Sequence, residues 1–292
     1  MLEFLMQYQE SYILLGLLGA VLLAWRSTSI SFIVSLLTLG LALSLGRVNV
    51  IAILLLLGFG GIAFLFYQRS IPSFLKAILA ILLIILTGLF YLHKAPGFNN
   101  WVMISDLKLS ADSLPYKLYL NLDKIFAGLF LLLAAGRFAQ KSKEWLKSFI
   151  VTLEVTLPLA VILMGLALAF QYVRFDFKIP TLLILWAPVN LLFVCMAEEA
   201  FFRGFLQEQL RKILGDSIFN MCLAIGIPAF LFGLCHFPGG PLYMIFATIA
   251  GAGYGYAYER SGGRIEAAML THFMINLIHF IGFSYPALEM AR

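Results

Sequence analysis

Apolar runs long enough to cross a lipid bilayer follow one another along most of the chain. A helix needs about 20 apolar residues to span the hydrocarbon core, and the sequence divides into about ten such segments. Only 12% of the 292 residues are charged, against about 25% in a soluble globular domain. The sequence therefore predicts an all-α, polytopic transmembrane helical bundle of about eight to ten spans. The predicted spans are residues 11–25, 30–46, 49–68, 72–92, 121–139, 149–172, 181–208, 217–236, 241–258 and 265–283.

The positive charges lie between these runs and form no extended basic stripe. The formal net charge is +5, but without such a stripe nucleic acid is not an expected partner. Cytoplasmic loops of membrane proteins carry an excess of Lys and Arg, and the opposite side has a longer loop, residues 93–120, where Lys and Asp nearly balance. The residues assigned to the cytoplasmic side are Arg26, Arg69, Lys76, Arg137, Lys141, Lys143, Lys147, Arg211, Lys212, Arg260 and Arg264.

Two parts of the chain differ in character. Residues 1–140 form apolar spans with no carboxylate near the middle of any of them, and their role is not predicted. Residues 141–292 contain the intramembrane carboxylates and three of the four histidines. We therefore predict N-terminal transmembrane helices over 1–140 and a catalytic core over 141–292, with its motifs within 180–283.

Two adjacent carboxylates, Glu198 and Glu199, lie in an apolar span and are followed by Arg203. A charge near the bilayer centre costs about 2.5 kcal/mol or more, so such residues are functional candidates by default. Glu199 and Arg203 are four residues apart and share a helical face, whereas Glu198 is rotated by about 100°. We interpret Glu199 and Arg203 as a supporting ion pair and Glu198 as the carboxylate that acts on water. A purely structural Glu-Arg pair would leave Glu198 unexplained.

Further polar groups lie at a matching depth. His236 ends the next span, and His272 and Asn276, four residues apart, share one face of the last span. At a rise of about 1.5 Å per residue, a hairpin of two spans brings Glu198 and His236 to within about 6 Å in depth. The sequence thus predicts an intramembrane polar chamber. His279 is on the same face of the last span and is favoured as a structural residue.

These residue types predict amide hydrolysis. Glu198 as general base, assisted by His236, would activate a water molecule, while His272 and Asn276 would donate hydrogen bonds to the oxyanion. A zinc-dependent peptidase is the alternative, because two carboxylates and two histidines are possible zinc ligands. Since no His-Glu-x-x-His motif is present and Asn is a poor zinc ligand, we favour a mechanism without a metal or another cofactor.

Three motifs occur in a fixed order along the second half of the chain. They are Glu198-Glu199-x-x-x-Arg203, Phe232-x-x-x-His236 and His272-x-x-x-Asn276. Together they resemble the motifs of the Abi or CPBP family, the CAAX protease and bacteriocin-processing family, which includes the type II CAAX prenyl endopeptidases. The resemblance covers roughly residues 180–283 and implies a glutamic intramembrane protease of all-helical fold.

The resemblance also implies roles and partners. Glu198 and His236 would activate water, His272 and Asn276 would form the oxyanion site, and Glu199 with Arg203 would support them. The expected substrate is a membrane-associated or lipidated protein or peptide, such as a CAAX-type protein, a C-terminal sorting segment or a peptide precursor. We expect a multi-pass protein of a prokaryotic cell membrane, with an active site accessible from the cytoplasmic side as in the CAAX enzymes.

Two other classes of function compete with this interpretation. The same fold without catalysis would be a membrane immunity or scaffold protein that binds a peptide or a partner. A pair of membrane carboxylates is also typical of proton-coupled transporters. Transporters often contain inverted repeats or broken helices in matching halves, and the sequence has no evident repeat of this kind.

Overall fold

The computed structural model describes residues 8–291. Within that range the chain forms ten helices, and each overlaps one of the predicted spans. Their bounds are α1 Ser11–Ala24, α2 Thr28–Ser44, α3 Val50–Tyr67, α4 Ser73–Tyr91, α5 Leu122–Ala135, α6 Ser142–Ala169, α7 Leu183–Leu214, α8 Ile218–Cys235, α9 Pro241–Ser261 and α10 Ile265–Gly282.

Six of the described helices are long and apolar enough to cross a membrane, namely α3, α4, α6, α7, α8 and α10. Helices α1 and α2 are apolar but shorter, with 14 and 17 residues. Helices suit this environment because they satisfy their backbone hydrogen bonds within one segment, where the hydrocarbon offers no water. The predicted all-α polytopic fold class is confirmed.

A small β-sheet interrupts the helical pattern in the long connection between α4 and α5. Strands β1, Trp101–Leu107, and β2, Tyr116–Leu120, pair with each other. The sequence predicts a loop over residues 93–120. In β1 only Trp101 and Met103 are buried, so the alternation of apolar and polar residues is too short to identify the strand from the sequence.

The described chain divides into two compact units. The first contains residues 8–102, 119–138 and 192–201, and the second contains residues 103–118, 139–191 and 202–291. Helix α7 thus contributes its middle residues to the first unit and its two ends to the second. The sequence-based division near residue 140 concerns function and stays a prediction.

In the second unit, α9 packs against α6, α8 and α10, and the connections rich in Lys and Arg lie at one end. Arg264 Nη2 is 2.5 Å from Glu144 Oε1, and Arg211 Nε is 3.2 Å from Glu259 Oε2. These ion pairs join the start of α6, the end of α7 and the turn after α9. The segments that the positive-inside rule assigns to one side of the membrane are therefore neighbours within this unit.

The opposite end of the second unit is held by backbone pairing. An antiparallel bridge connects Phe175, after α6, to Phe283, after α10. Asp176 adds a hydrogen bond from its backbone N–H to the carbonyl oxygen of Gly282, at 3.0 Å. Since α8 begins next to the Lys- and Arg-rich end, its last residues and His236 belong to this opposite end.

Candidate active site

Helix α7 carries the two adjacent glutamates and departs from regular α-helical geometry on both sides of them. Residues Asn190–Cys195 and Phe202–Gln207 are π-helical, and Met196–Phe201 between them is α-helical. A π-turn contains one extra residue per turn and is frequent at functional sites. The four-residue spacing between Glu199 and Arg203, which predicts a common face in an α-helix, therefore runs into a π-helical turn.

A cavity of about 90 Å³ lies among α6, α8, α9 and α10 in the second unit. Three of the predicted catalytic residues, His236, His272 and Asn276, line it. Its remaining wall is mostly apolar or aromatic, with Tyr243 and Phe246 from the first turns of α9. A few polar groups converging in an apolar wall are the usual composition of a small-molecule or peptide site.

His236 follows directly after α8 and is oriented by that helix. Its Nδ1 lies 2.7 Å from the carbonyl oxygen of Phe232, one turn earlier. Because a carbonyl oxygen only accepts hydrogen bonds, Nδ1 carries the hydrogen, and in the neutral ring Nε2 is then an acceptor. The ring also packs edge-to-face against Tyr243, with centroids 5.4 Å apart. The backbone carbonyl of Phe232 therefore orients the ring of His236, and Nε2 of this ring is a proton acceptor.

His272 and Asn276 project from one face of α10, and each has a partner within the second unit. His272 is buried and stacks on Tyr254, with ring centroids 4.3 Å apart and an interplanar angle of 13°. Asn276 donates from Nδ2 to Oδ1 of Asn190, at 3.1 Å. Asn190 opens the first π-helical segment of α7. Both predicted oxyanion donors are thus held in place by side chains from neighbouring helices.

Arg203 is almost fully buried, with 1% of its surface exposed. Its guanidinium group lies over the rings of Phe232 and Tyr254, at 5.1 and 5.4 Å from their centroids. It also donates from Nη2 to the carbonyl oxygen of Gly251, at 2.7 Å. The same two rings contact His236 and His272. Arg203 therefore stabilises the aromatic groups against which the two histidines pack.

The small residues of α9 make room for polar side chains of α7. Gln207, one turn beyond Arg203, donates from Nε2 to the carbonyl oxygen of Gly255, at 2.9 Å. This hydrogen bond repeats the one from Arg203 to Gly251, one turn earlier in both helices. A Cβ at Gly255 would lie 2.7 Å from Gln207 Oε1. Backbone carbonyls of one helix thus receive donors from the other, and this close approach requires glycine.

Glu198 and Glu199 belong to the first unit, and both are buried, with 6% and 0% of their surface exposed. Glu198 forms an ion pair with Lys124 of α5, with Nζ and Oε1 2.5 Å apart. Next to Glu198, the carbonyl oxygen of Ala197 accepts a hydrogen bond from the hydroxyl of Tyr91, at the end of α4. The predicted base therefore has a cationic partner from the N-terminal part of the chain.

Residues 179–278 match the family model described as type II CAAX prenyl endopeptidase, Rce1-like. Residues 179–278, named the Rce1-like segment, are therefore similar to that family. The match contains all three motifs and confirms the resemblance that they indicate. It supports a CAAX-type intramembrane protease fold and an integral membrane protein. Searches of the curated proteins and of the solved structures found no significant match.

Several residues around the candidate site are not identified by sequence reasoning. Lys124 and Tyr91 lie outside the Rce1-like segment and far from Glu198 in the chain. Tyr254 lies among the small residues of α9, a composition that favours close helix packing and does not single out an aromatic residue for the site. His279 lines the cavity together with His272. The spacing of His279 from His272 is a signal for a common face, but it does not distinguish a cavity from a packed interface.

The donor set for a metal ion is limited in the part of the chain that the structure describes. Among residues 8–291, no group of three or more His, Cys, Asp or Glu side chains is arranged to hold a metal ion.

Proposed function

We propose that the chain is an intramembrane endopeptidase that hydrolyses a peptide bond of a membrane-associated protein or peptide. The Rce1-like match supports the protease class. The observation that carries the proposal is the cavity shared by His236, His272 and Asn276. Two imidazoles and an amide in an apolar wall are groups that transfer protons and stabilise an oxyanion.

In this proposal Glu198 is the general base and His236 assists it. Glu198 accepts a proton from water, and Nε2 of His236 accepts a hydrogen bond from the other O–H of that water and so orients it. The water oxygen bonds to the carbonyl carbon of the scissile amide, which gives a tetrahedral intermediate. When the C–N bond breaks, the proton passes from Glu198 to the leaving nitrogen, and a carboxylic acid and an amine result.

We assign the stabilisation of the negatively charged oxygen of the tetrahedral intermediate to His272 and Asn276, which donate hydrogen bonds to it. Stacking on Tyr254 and the hydrogen bond to Asn190 fix these two donors before the substrate arrives. Donors that need no reorganisation during the reaction are the most effective stabilisers of a developing charge. Glu199 and Arg203 act as supporting residues, since Arg203 stabilises the aromatic layer beneath the histidines.

The proposed substrate is a membrane-associated or lipidated protein or peptide, because the cavity is lined by residues of α6, α8 and α10, which are long and apolar enough to span a membrane. The proposed location is the cell membrane of a prokaryote. The resemblance implies access from the cytoplasmic side, whereas the Lys and Arg distribution assigns the His236 end of α8 to the opposite side. Labelling of that end with an impermeant thiol reagent distinguishes the two.

A proteolysis assay with a matched pair of carboxylate variants tests the proposal. We expect the protein in nanodiscs to cleave an internally quenched, prenylated CAAX-type peptide, and we expect Glu198→Gln to abolish turnover because an amide is not a general base. Glu154→Gln is the control, since Glu154 lies in the same kind of span but is half exposed. Equal turnover by wild type and Glu198→Gln would contradict the assignment.

Two further readings of the same assay address the alternatives. Loss of turnover after dialysis against a zinc chelator, with recovery on adding Zn²⁺, would favour the zinc-dependent peptidase. A cellular phenotype that survives Glu198→Gln would favour a binding or immunity function without catalysis. Comparing the membrane peptidomes of a deletion strain and a Glu198→Gln strain would identify the natural substrate.

A further inference from the structure

The first unit places a buried lysine against the proposed base. Lys124 Nζ lies 2.5 Å from Oε1 of Glu198, and the two side chains are 17% and 8% exposed. Lys124 lies in the first turn of α5, within the N-terminal part of the chain and outside the Rce1-like segment. The three sequence motifs contain no lysine, so this cation is not part of the pattern that identifies the family.

The ammonium group and the helix that carries Glu198 are both contacted by Tyr91. Lys124 Nζ lies 5.4 Å from the centroid of the Tyr91 ring, an attractive cation–π distance. The Tyr91 hydroxyl donates to the carbonyl oxygen of Ala197, and its ring packs against Phe201 at 5.8 Å between centroids. Tyr91 therefore connects the lysine to the turn of α7 on which the proposed base lies.

The start of α5 is fixed by a polar cluster, so the position of Lys124 is well defined. Asp123 is buried and pairs with Nδ1 of His93 at 2.8 Å and with Nδ2 of Asn100 at 3.1 Å. The side chain of Asn100 also accepts a hydrogen bond from the backbone N–H of Leu122, at 2.8 Å. Three neighbouring contacts thus anchor the first turn from which Lys124 extends.

Close packing of α5 on α7 brings the lysine within reach of the glutamate. A Cβ at Gly128 would lie 2.5 Å from the Cα of Ala197, which no real side chain tolerates. Gly128 lies one turn after Lys124 in α5, and Ala197 lies directly before Glu198 in α7. The contact between Gly128 and Ala197 is therefore next to the ion pair. The glycine therefore permits the backbone approach that sets the length of the ion pair.

We propose that Lys124 is a positioning residue that holds Glu198 ionised and oriented for general-base catalysis. The inference rests on the proposed function and gives the N-terminal helices a role in it. A base must be ionised to accept a proton, and a carboxylate in an apolar surrounding stays ionised at neutral pH more readily beside a positive charge. Lys124 supplies this charge, and its contact with Tyr91 keeps it in place.

The pH dependence of turnover separates this role from a merely structural one. In Lys124→Met, which keeps most of the length of the side chain and removes the charge, we expect the acidic limb of the kcat/KM profile to move up by about one to three pH units. Lys124→Arg keeps the charge, so its profile should stay within about half a unit of wild type. A uniform loss at all pH values in Lys124→Met would overturn the inference.

A control lysine and a stability measurement complete the test. Lys117→Met removes a half-exposed lysine whose partner Asp106 is also exposed, and we expect its profile to match that of wild type. Lys124→Met should lower the unfolding temperature in nanodiscs, and adding Glu198→Gln should restore part of the loss, because both charges are then removed. Strictly additive effects of the two substitutions would also overturn the inference.

The cleavage assay and the stability measurement test the proposed function and the role of Lys124 separately. If wild type does not cleave the prenylated peptide but the stability effects of Lys124→Met and Glu198→Gln are coupled, the ion pair stands and the proposed function fails for this substrate. If wild type cleaves the peptide and the coupling is absent, the proposed function stands and the role of Lys124 is overturned.

Discussion

The guanidinium group of Arg203 donates from Nη2 to the carbonyl oxygen of Gly251, at 2.7 Å, within an aromatic layer that also contacts two of the predicted catalytic histidines. The contact depends on the missing side chain at position 251. A Cβ there would lie 3.2 Å from Arg203 Nη2 and from the Cα of Ala229. Gly251→Ala should therefore destabilise the protein by about 1–3 kcal/mol through overpacking.

The unfolding of Gly251→Ala should be compared with that of Gly226→Ala. Gly226 lies in the interior of α8, and a Cβ there meets no atom within 4 Å. We expect this control to change the free energy of unfolding by less than about 1 kcal/mol, in the stabilising direction, because alanine favours the helix. Equal stability of the two variants would show that the approach of Arg203 to α9 tolerates a side chain.

The proposed oxyanion donors should differ in kinetics from the residues that hold them. Asn276→Ala removes a donor used in the transition state, so we expect kcat to fall by about 10²- to 10³-fold with little change in KM. Asn190→Ala removes only the side chain that orients Asn276, and its effect on kcat should be smaller. A larger loss of kcat in Asn190→Ala than in Asn276→Ala would contradict these roles.

The approach of α5 to α7 gives a second prediction on stability. Gly128→Ala places a Cβ against the backbone at Ala197 and should cost about 3 kcal/mol, measured by denaturant or thermal unfolding in detergent. Gly58→Ala in α3 is the matched control, because nothing lies within 4 Å of its Cβ position. Indistinguishable unfolding of the two variants would mean that the two helices are further apart than described.

Asp176, after α6, should stabilise the fold in a pH-dependent way. A hydrogen bond from Ser110 and the neighbouring cations Lys178 and Arg174 hold the pKa of this carboxyl below its ordinary value. Because the pKa is lower in the folded state, the stabilisation is present above pH about 4 and is lost as the pH falls through the folded-state pKa.

The measurement for Asp176 compares the unfolding of wild type and Asp176→Asn across this range. We expect the variant to be less stable by up to about 1 kcal/mol at pH 7, since partly exposed pairs contribute little. The difference should shrink as the pH falls through the folded-state pKa of Asp176, below which the side chain at position 176 is neutral in both proteins. A difference that grows on acidification would show that the sign of the shift is wrong.

The side of the membrane on which the cavity end lies can be tested by labelling. Single cysteines are introduced by Pro238→Cys or Lys212→Cys in a protein without the native cysteines. Position 238 is two residues after His236, and position 212 is at the Lys- and Arg-rich end. Both positions are exposed. From the charge distribution we expect an impermeant thiol reagent to label position 238 in intact cells and position 212 only after permeabilisation. The reverse pattern would support the cytoplasmic access that the resemblance implies.

The sequence predicts the helices and the fold class because hydrocarbon imposes strong constraints. Each span must be apolar over about 20 residues and must satisfy its own backbone, so the pattern identifies all ten helices of the described range. Polar residues in such spans are functional candidates, because placing them in hydrocarbon is costly. His236, His272 and Asn276 could thus be selected from the sequence, and in the structure they line one cavity.

What the sequence does not provide is the partner of each polar residue. Lys124 precedes Glu198 by 74 residues, and no local period relates them. Lys124 also lies near the start of its helix. A lysine at such a position is usually interpreted as an interfacial residue whose charged group extends to the lipid headgroups. The stacking of Tyr254 on His272 is equally invisible, because an aromatic residue among glycines fits ordinary helix packing. The roles assigned to the site residues remain predictions until the variants are measured.

The two π-helical segments of α7 have a consequence for insertions and deletions. Each π-turn contains one residue more than an α-turn, so deleting one residue from Asn190–Cys195 or from Phe202–Gln207 would allow that turn to become α-helical. The residues on the two sides of the deletion would keep their relative directions, because the α-turn covers about the same rotation with one residue fewer. Deleting a residue from the α-helical Met196–Phe201 would instead rotate all residues on one side by about 100° around the helix axis. The two π-turns are therefore the places where α7 could lose one residue and still direct the glutamates as it does now.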